Sequence, residues 1–367
     1  MRFLFVCSSL GGGGAERVAA NLANTLVSRG HSVSIFVRRQ VSHPYSLNQD
    51  VRVCYQRRHG NLHGALELKK IIDNGVDGVV GFTDIPNILS KFSLIFSKLN
   101  PAFIPTIHND LIARDSVKPL NFRFLAIRAL HKLTCRSADK VVVVSEGARV
   151  SLSKYYELDL DALQTIHNPV LGDNDSIELR PRMEDKCEVK LVAAGRLTQQ
   201  KNYRMMIDVV QALKKSGSRK FVLDIYGAGE LTEALQAYVV EKGVEDRVAF
   251  KGFVDNLKSE LSRYDIFLLT SDWEGFGNVL VEALCAGIPV ISTDCPSGPR
   301  EILSAGRFGR LVPVGDVDAF CNAVEDETRQ PLEFSYEELC AHLDNFREGV
   351  VAQKYIKLVE NVKLSKV

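Results

Sequence analysis

The chain has 367 residues, 46% of them hydrophobic and 25% charged, which suits a globular protein of two or three domains. No run approaches the ~20 apolar residues that a membrane-spanning helix needs. The apolar start, Met1–Cys7, is too short for a signal peptide and no small-residue cleavage site follows it. The net charge of +1 hides an asymmetry, because residues 1–170 carry +8 and residues 171–367 carry −7. A basic half joined to an acidic half suggests two domains with different partners; no nucleic-acid partner is expected. Eight scattered cysteines without a C-x-x-C pair read as free thiols in a reducing cytosol, so the expected location is cytoplasmic.

The first predicted strand, Phe3–Cys7, runs into Ser8-Ser-Leu-Gly11-Gly12-Gly13-Gly14-Ala15-Glu16. Glycines between a strand and a helix let the backbone approach a ligand closely. A G-x-G-x-x-G pattern counted from Gly11 ends on Glu16, so this is no dinucleotide fingerprint, and an oxidoreductase reading is weakened. The plain alternative is a turn that holds nothing. A helix follows over Ala15–Ser28, with Val18, Leu22 and Leu26 on one face and Gly30 as its stop. Strands at Val33–Val37, Gly78–Gly81, Phe103–Thr106 and Val141–Val144 complete the first half. His108 sits at the end of one of them, where a lone His is more often structural than catalytic. Ser145 reads as a helix N-cap.

Between these strands lies the basic segment Ile112–Lys140. Phe122, Leu125, Ala126, Ala129, Leu130 and Leu133 share one helical face, with Arg128, Lys132 and Arg136 beside it. Such a helix either lies on an anionic membrane surface or packs its apolar face into the first domain and solvates its cations. The loops Arg38–Asn61 and Asp110–Leu120 show no chemistry specific to one ligand.

A domain boundary is expected near His167-Asn168-Pro169, before the linker-like stretch Gly172–Cys187. Strands at Lys190–Ala194, Phe221–Tyr226, Val248–Phe250, Ile266–Leu269 and Pro289–Ser292 repeat the α/β alternation. Continuously apolar strands between helices argue parallel sheets covered on both faces, hence two doubly wound Rossmann-like domains. The first of these strands leads into Ala194-Gly-Arg196-Leu-Thr-Gln-Gln-Lys201-Asn202, two cations at a strand's carboxyl end, where open α/β sheets bind ligands. Tyr226-Gly-Ala-Gly229 and Lys251-Gly252-Phe253-Val254 are strand ends that a plain turn explains. The run Glu274-Gly-Phe-Gly-Asn-Val-Leu-Val-Glu282 is the most informative. Its turn opens an apolar helix whose free N–H groups and positive end suit a phosphate. The carboxylates of Glu274 and Glu282 are natural acceptors for sugar hydroxyls. The alternative is a capped helix start with a buried apolar face.

The Glu274–Glu282 run resembles the E-x7-E motif of the retaining glycosyltransferases of family 4, which have the GT-B fold. The stretch Gly195–Asn202 resembles the same family's G-R-x-x-x-x-K-N motif, and Gly13-Gly14-Ala15-Glu16 resembles its N-terminal loop. The resemblance spans nearly the whole chain. It implies an acceptor-binding domain over residues 1–169, a nucleotide-sugar-binding domain over 170–345 and a cleft that the two face. A last helix, about 346–363, would cross back onto the first domain. It also implies that Gly13, Gly14, Gly227, Phe253, Val254, Gly275, Phe276, Gly277, Asn278, Val279 and Glu282 bind the donor. Glu274, His108, Arg196 and Lys201 would act in catalysis.

Cys295-Pro-Ser-Gly298-Pro299-Arg300-Glu301 resembles a version found where the donor is a UDP-linked hexose or N-acetylhexosamine. The implied activity is metal-independent transfer to a glycan or lipid-linked acceptor in bacterial polysaccharide synthesis. Neither cofactor nor metal is expected: the cations and the helix end answer the diphosphate charge, and no Asp-x-Asp follows a strongly apolar strand. The family's work at the cytoplasmic leaflet favours membrane contact for Ile112–Lys140. A catalytically idle subunit of an assembly complex, or an epimerase or phosphorylase of similar shape, stays open beside this reading.

Overall fold

A computed structural model describes residues 1–41, 45–118, 121–178, 186–217, 219–254 and 256–366. Residues 179–185 of the expected linker, and residues 42–44 and 119–120 of the loops Arg38–Asn61 and Asp110–Leu120, lie outside them. The chain divides into two compact units, Met1–Asp173 with Asn345–Val367, and Asn174–Asp344.

The first unit holds a parallel sheet. Its strands are β1 (Arg2–Cys7), β2 (Ser32–Val37), β3 (Arg52–Tyr55), β4 (Gly78–Phe82), β5 (Ala102–Ile107), β6 (Val141–Val143) and β7 (Leu163–Thr165). They lie side by side as β3-β2-β1-β4-β5-β6-β7. The second unit repeats the plan with β8 (Glu188–Ala194), β9 (Lys220–Tyr226), β10 (Val248–Gly252), β11 (Ile266–Leu269), β12 (Val290–Thr293) and β13 (Arg310–Val312), ordered β10-β9-β8-β11-β12-β13. Central strands such as β4 and β11 are buried at every residue, which is why each reads as an unbroken apolar run. Strand order reverses direction at β1/β4 and at β8/β11. A crevice opens beyond the carboxyl ends of the strands at such a point.

The expected helix over Ala15–Ser28 forms as Gly14–Ser28. Ser145 caps the helix Glu146–Tyr156 by accepting from the Ala148 N–H at 3.2 Å. The last helix, Glu348–Ser365, belongs to the first unit. Its Val351, Tyr355 and Val359 share a core with Phe3, Phe5, Leu22 and Leu26, and Glu348 accepts from the Thr25 hydroxyl at 3.1 Å.

The basic segment forms two helices, Leu111–Ser116 and Phe122–Arg136. The second turns His131, Thr134 and Cys135 inward. Its apolar stripe points out: Phe122 is 88% exposed and Leu133 60%. The packing alternative for this stripe is therefore overturned. His131 reaches the Tyr156 hydroxyl at 3.1 Å and Asn87 at 3.2 Å, so polar pairing rather than apolar burial seats this helix. The cations are not simply solvated either. Lys132 and Arg136 both pair with Glu157, at 2.9 and 3.0 Å, and Arg128 lies over the Tyr155 ring. The neighbouring helices Asn61–Asp73 and Asp84–Ile95 also leave Leu62, Leu66, Phe92 and Ile95 exposed.

Candidate active site

In the second unit, the switch point brings the loop after β8 against the loop after β11. Thr270, just past β11, donates its hydroxyl to the carbonyls of Lys201 and Asn202, at 3.1 and 3.0 Å. Asn202 adopts a left-handed conformation, φ 42°, that Asn tolerates better than most residues. Its side chain accepts from the Met205 N–H and donates to Asp272 at 2.8 Å, so it caps the helix Tyr203–Ser216 and ties both loops together. These bonds aim Lys201 at Glu274. The Lys201 ammonium meets Glu274 Oε1 at 2.5 Å, and the Ser271 hydroxyl donates to the same oxygen at 2.6 Å. Both partners of the ion pair are largely buried, at 15% and 7% side-chain exposure, so each depends on the other for charge compensation.

The same environment acts on its neighbours. Burial, reinforced by the negative charge of Glu274, holds the Tyr203 hydroxyl and the Cys295 thiol protonated, well above their ordinary ranges. Burial also raises Asp272, against the Asn202 hydrogen bond that lowers it.

The expected phosphate turn lies directly after Glu274. Gly277, at φ 101°, is the N-cap of the helix Asn278–Cys285, and Glu282 lies within that helix, 4% exposed. Phe276 is buried beneath the turn. The loop after β12 braces it from outside. Glu274 donates its N–H to the Pro296 carbonyl at 3.2 Å. Gly298, at φ 86°, lies so close that a Cβ there would stand 1.9 Å from the Phe276 carbonyl. Here the turn needs glycine on sterics alone.

Gly227 is similar. At φ 127°, a Cβ would fall 2.0 Å from the Gly195 carbonyl. The backbone explains why: Gly195 N–H donates to Tyr226 at 3.0 Å, Leu197 N–H to Ala228 at 3.1 Å and Gly227 N–H to Gly252 at 2.7 Å. The ends of β8, β9 and β10 are thus laced together. Arg196 stays exposed beside this lacing, with no ion pair among the described residues. Phe253 is 70% exposed past β10, and Val254 is half-buried.

Gly13, Gly14 and His108 lie in the first unit. Gly13 is the extended N-cap of the helix that Gly14 begins, and its carbonyl accepts from the Tyr45 hydroxyl at 3.2 Å. His108 follows β5, half-buried, stacked on Phe82 at 5.6 Å and hydrogen-bonded to the Thr106 hydroxyl at 2.8 Å. Desolvation lowers its pKa to about 4, so the imidazole is neutral at physiological pH.

Sequence reasoning missed Thr270, Ser271 and Asp272, and named Asn202 only as the last residue of the Gly195–Asn202 motif. Their signal was a run of small polar residues at the end of an apolar strand, which marks the mouth of a doubly wound sheet. In the Asp-x-Asp pairs at Asp159/Asp161, Asp173/Asp175 and Asp316/Asp318, Asp159 and Asp316 cap helices, Asp173 accepts from the Gly349 N–H and Asp175 pairs with Lys258.

Two doubly wound units, one with an acidic and cationic pair beside a helix-opening glycine turn, define a sugar-transferring GT-B protein. The family profiles described as Glycosyl transferases group 1 and Glycosyltransferase Family 4 match residues 188–327 and 12–170. The chain belongs to this glycosyltransferase family. It is 27% identical over 321 residues to the Campylobacter jejuni N-acetylgalactosamine-N,N'-diacetylbacillosaminyl-diphospho-undecaprenol 4-alpha-N-acetylgalactosaminyltransferase, covering 83% of this chain and 84% of that one. The lipopolysaccharide outer core galactosyltransferase WaaB in its apo form superposes with TM-score 0.74 at 20% identity over 100% of both chains. The Anabaena HepE protein, solved with UDP and glucose, does so with TM-score 0.78 at 17% identity, over 98% of this chain and 100% of that one. No described helix is long and apolar enough to cross a membrane.

Proposed function

We propose that this glycosyltransferase is a retaining, metal-independent enzyme. On this reading it moves a hexose or N-acetylhexosamine from a UDP-sugar to a glycan or lipid-linked acceptor, in bacterial surface-polysaccharide synthesis. The observation that carries the reading is the Lys201–Glu274 pair at the mouth of β8 and β11, adjoining the glycine-opened helix Asn278–Cys285.

The second unit takes the nucleotide-sugar, with Gly227, Phe253 and Val254 near the nucleoside. Glu282 accepts from the ribose hydroxyls. Glu274 orients the donor sugar: Oε1 is occupied by Lys201 and Ser271, which leaves Oε2 for a sugar hydroxyl. Backbone N–H groups from Gly275 to Val279, with Arg196 and Lys201, receive the diphosphate. As the bond between sugar C1 and the β-phosphate oxygen breaks, its electrons pass to the diphosphate, where these groups meet the growing charge. The acceptor oxygen bonds to C1 from the same face, and its proton passes to the departing diphosphate. Cations already placed at the leaving group make a divalent metal unnecessary.

The first unit takes the acceptor. His108, neutral, supplies hydrogen bonds without adding charge. The exposed apolar stripe of Phe122, Leu125, Leu130 and Leu133 lies peripherally on an anionic membrane, where a lipid-linked acceptor resides. The named substrate of the Campylobacter relative, a diphospho-undecaprenol, has that chemistry.

The test is a donor screen in the presence of EDTA. UDP release on addition of acceptor, with the anomeric configuration kept in the product, is the expected result. Absence of any nucleotide binding would favour an idle subunit, and release without acceptor would favour an epimerase or phosphorylase.

A further inference from the structure

The glycine turn at Glu274–Asn278 is held from outside by the end of β12 and the loop that follows it. The Thr293 hydroxyl donates to the Ser271 carbonyl at 2.6 Å, just ahead of the turn. The Pro296 carbonyl accepts from the Glu274 N–H at 3.2 Å. Gly298 lies so close to the Phe276 carbonyl that a Cβ has no room. The bracing loop is an unfavourable piece of chain. Ser297 has φ 66° and Gly298 φ 86°, and a serine in the left-handed region carries a cost that its surroundings must offset.

An ion pair closes this loop across its base. Asp294 and Arg300 flank the segment Cys295–Pro299. Arg300 Nε donates to Asp294 Oδ1 at 3.0 Å and Nη2 donates to Oδ2. Two parallel bonds fix orientation as well as distance. The pair is placed where it gains little for the fold. Arg300 lies in the first turn of the helix Pro299–Ile302, whose positive end disfavours a cation. Its side chain is 63% exposed and that of Asp294 25%, so water and salt screen the attraction. A two-pronged pair set against the helix end and open to solvent is explained by the loop that it shapes.

We propose that Asp294 and Arg300 are positioning residues for donor binding: their pair closes the Cys295–Pro299 loop and so holds Pro296 and Gly298 against the turn that receives the diphosphate. The proposal rests on the transferase reading for what the turn binds. Neither side chain touches the substrate; both act through the backbone of the bracing loop. A turn displaced by a fraction of an ångström points its N–H groups away from the phosphate oxygens, and such contacts depend steeply on aim. The nucleoside, proposed to lie by Gly227, Phe253 and Val254, is recognised elsewhere in the unit. The pair should therefore govern the hold on the diphosphate and leave the hold on the nucleoside alone.

UDP and uridine, titrated separately into the full chain, test it together with amide hydrogen exchange of the ligand-free chain. Arg300→Met and Asp294→Asn should each weaken UDP about tenfold and leave uridine affinity unchanged. Exchange over residues 274–278 should quicken about fivefold or more in both variants, while the melting temperature moves by no more than about 3 °C. Unchanged UDP affinity or unchanged exchange in both variants would overturn the assignment. So would an equal loss of uridine and UDP with a large fall in melting temperature, which would make the pair a plain structural one. A loss in Arg300→Met alone would overturn it too, because Arg300 would then meet the diphosphate directly. Failure of the wild-type chain to bind UDP would refute the transferase reading instead, and exchange over residues 274–278 would then decide whether the pair holds the turn.

Discussion

The two units use one architecture for opposite ends. In the second, the mouth of the sheet is fastened from every side: glycines lie against carbonyls, the ends of β8, β9 and β10 exchange hydrogen bonds, and an ion pair is buried. In the first, the mouth holds a glycine loop and a neutral imidazole, and the outer helices leave apolar side chains in water. A site that must meet growing charge gains from rigid, preorganised groups. On the proposed reading, a surface that meets a lipid-linked acceptor needs no such rigidity, only exposed carbon with cations close by. Doubly wound topology fixes where a site lies; the packing around it fixes which chemistry the site can perform.

The largest effect should come from breaking the ion pair. Lys201→Ala should cut transfer about 10²–10³-fold, as removal of an electrostatic donor does. It should also cost about 3 kcal/mol of stability, because Glu274 stays buried without its cation. Turnover and denaturant unfolding measure the two together; full activity would break the proposed mechanism.

Glycine substitutions then sharpen the contrast. Gly227→Ala drives a methyl into the Gly195 carbonyl in a left-handed backbone, and about 2 kcal/mol or more should be lost. Gly13→Ala meets only the flexible Glu16 carboxylate in an extended backbone, so stability should stay within about 1 kcal/mol. Equal losses in thermal melts would erase the distinction between the two mouths.

His108 gives a pH signature. Its folded pKa of about 4 lies below the unfolded value of about 6.5, so between those values the unfolded chain binds more protons. Stability should be full above pH ~6.5 and fall as pH drops towards ~4. His108→Gln should flatten that part of a melting-temperature profile. The smallest effect on stability is expected for Arg196→Ala. An exposed cation without an ion pair should shift stability by less than about 0.5 kcal/mol, yet UDP should bind about tenfold more weakly in low salt.

The sequence made the interior strands legible, because burial on both faces writes an unbroken apolar run. It did not reveal β3, β7 or β13. Each is short and lies at a sheet edge, with at most one buried side chain, so its pattern matches a loop. The motif residues Lys201 and Glu274 could be named from spacing, but their direct contact could not. It depends on Thr270 and Asn202 drawing the ends of two strands together across many residues of chain. The stripe of Phe122 to Leu133 was legible as amphipathic, while its direction was not. Helical spacing cannot show that a buried His131, partnered by Tyr156, outweighs leucines for the inward face.

The last helix, Glu348–Ser365, also sets an order of events during synthesis. Its Val351, Tyr355 and Val359 complete a core whose other members come from the first unit, from Phe3 to Ile166, before the second unit begins. While the second unit is still emerging from the ribosome, the first must wait with Phe3, Phe5 and Leu22 only partly covered. That surface closes only once this helix has been made, so the first unit cannot complete its core ahead of the second.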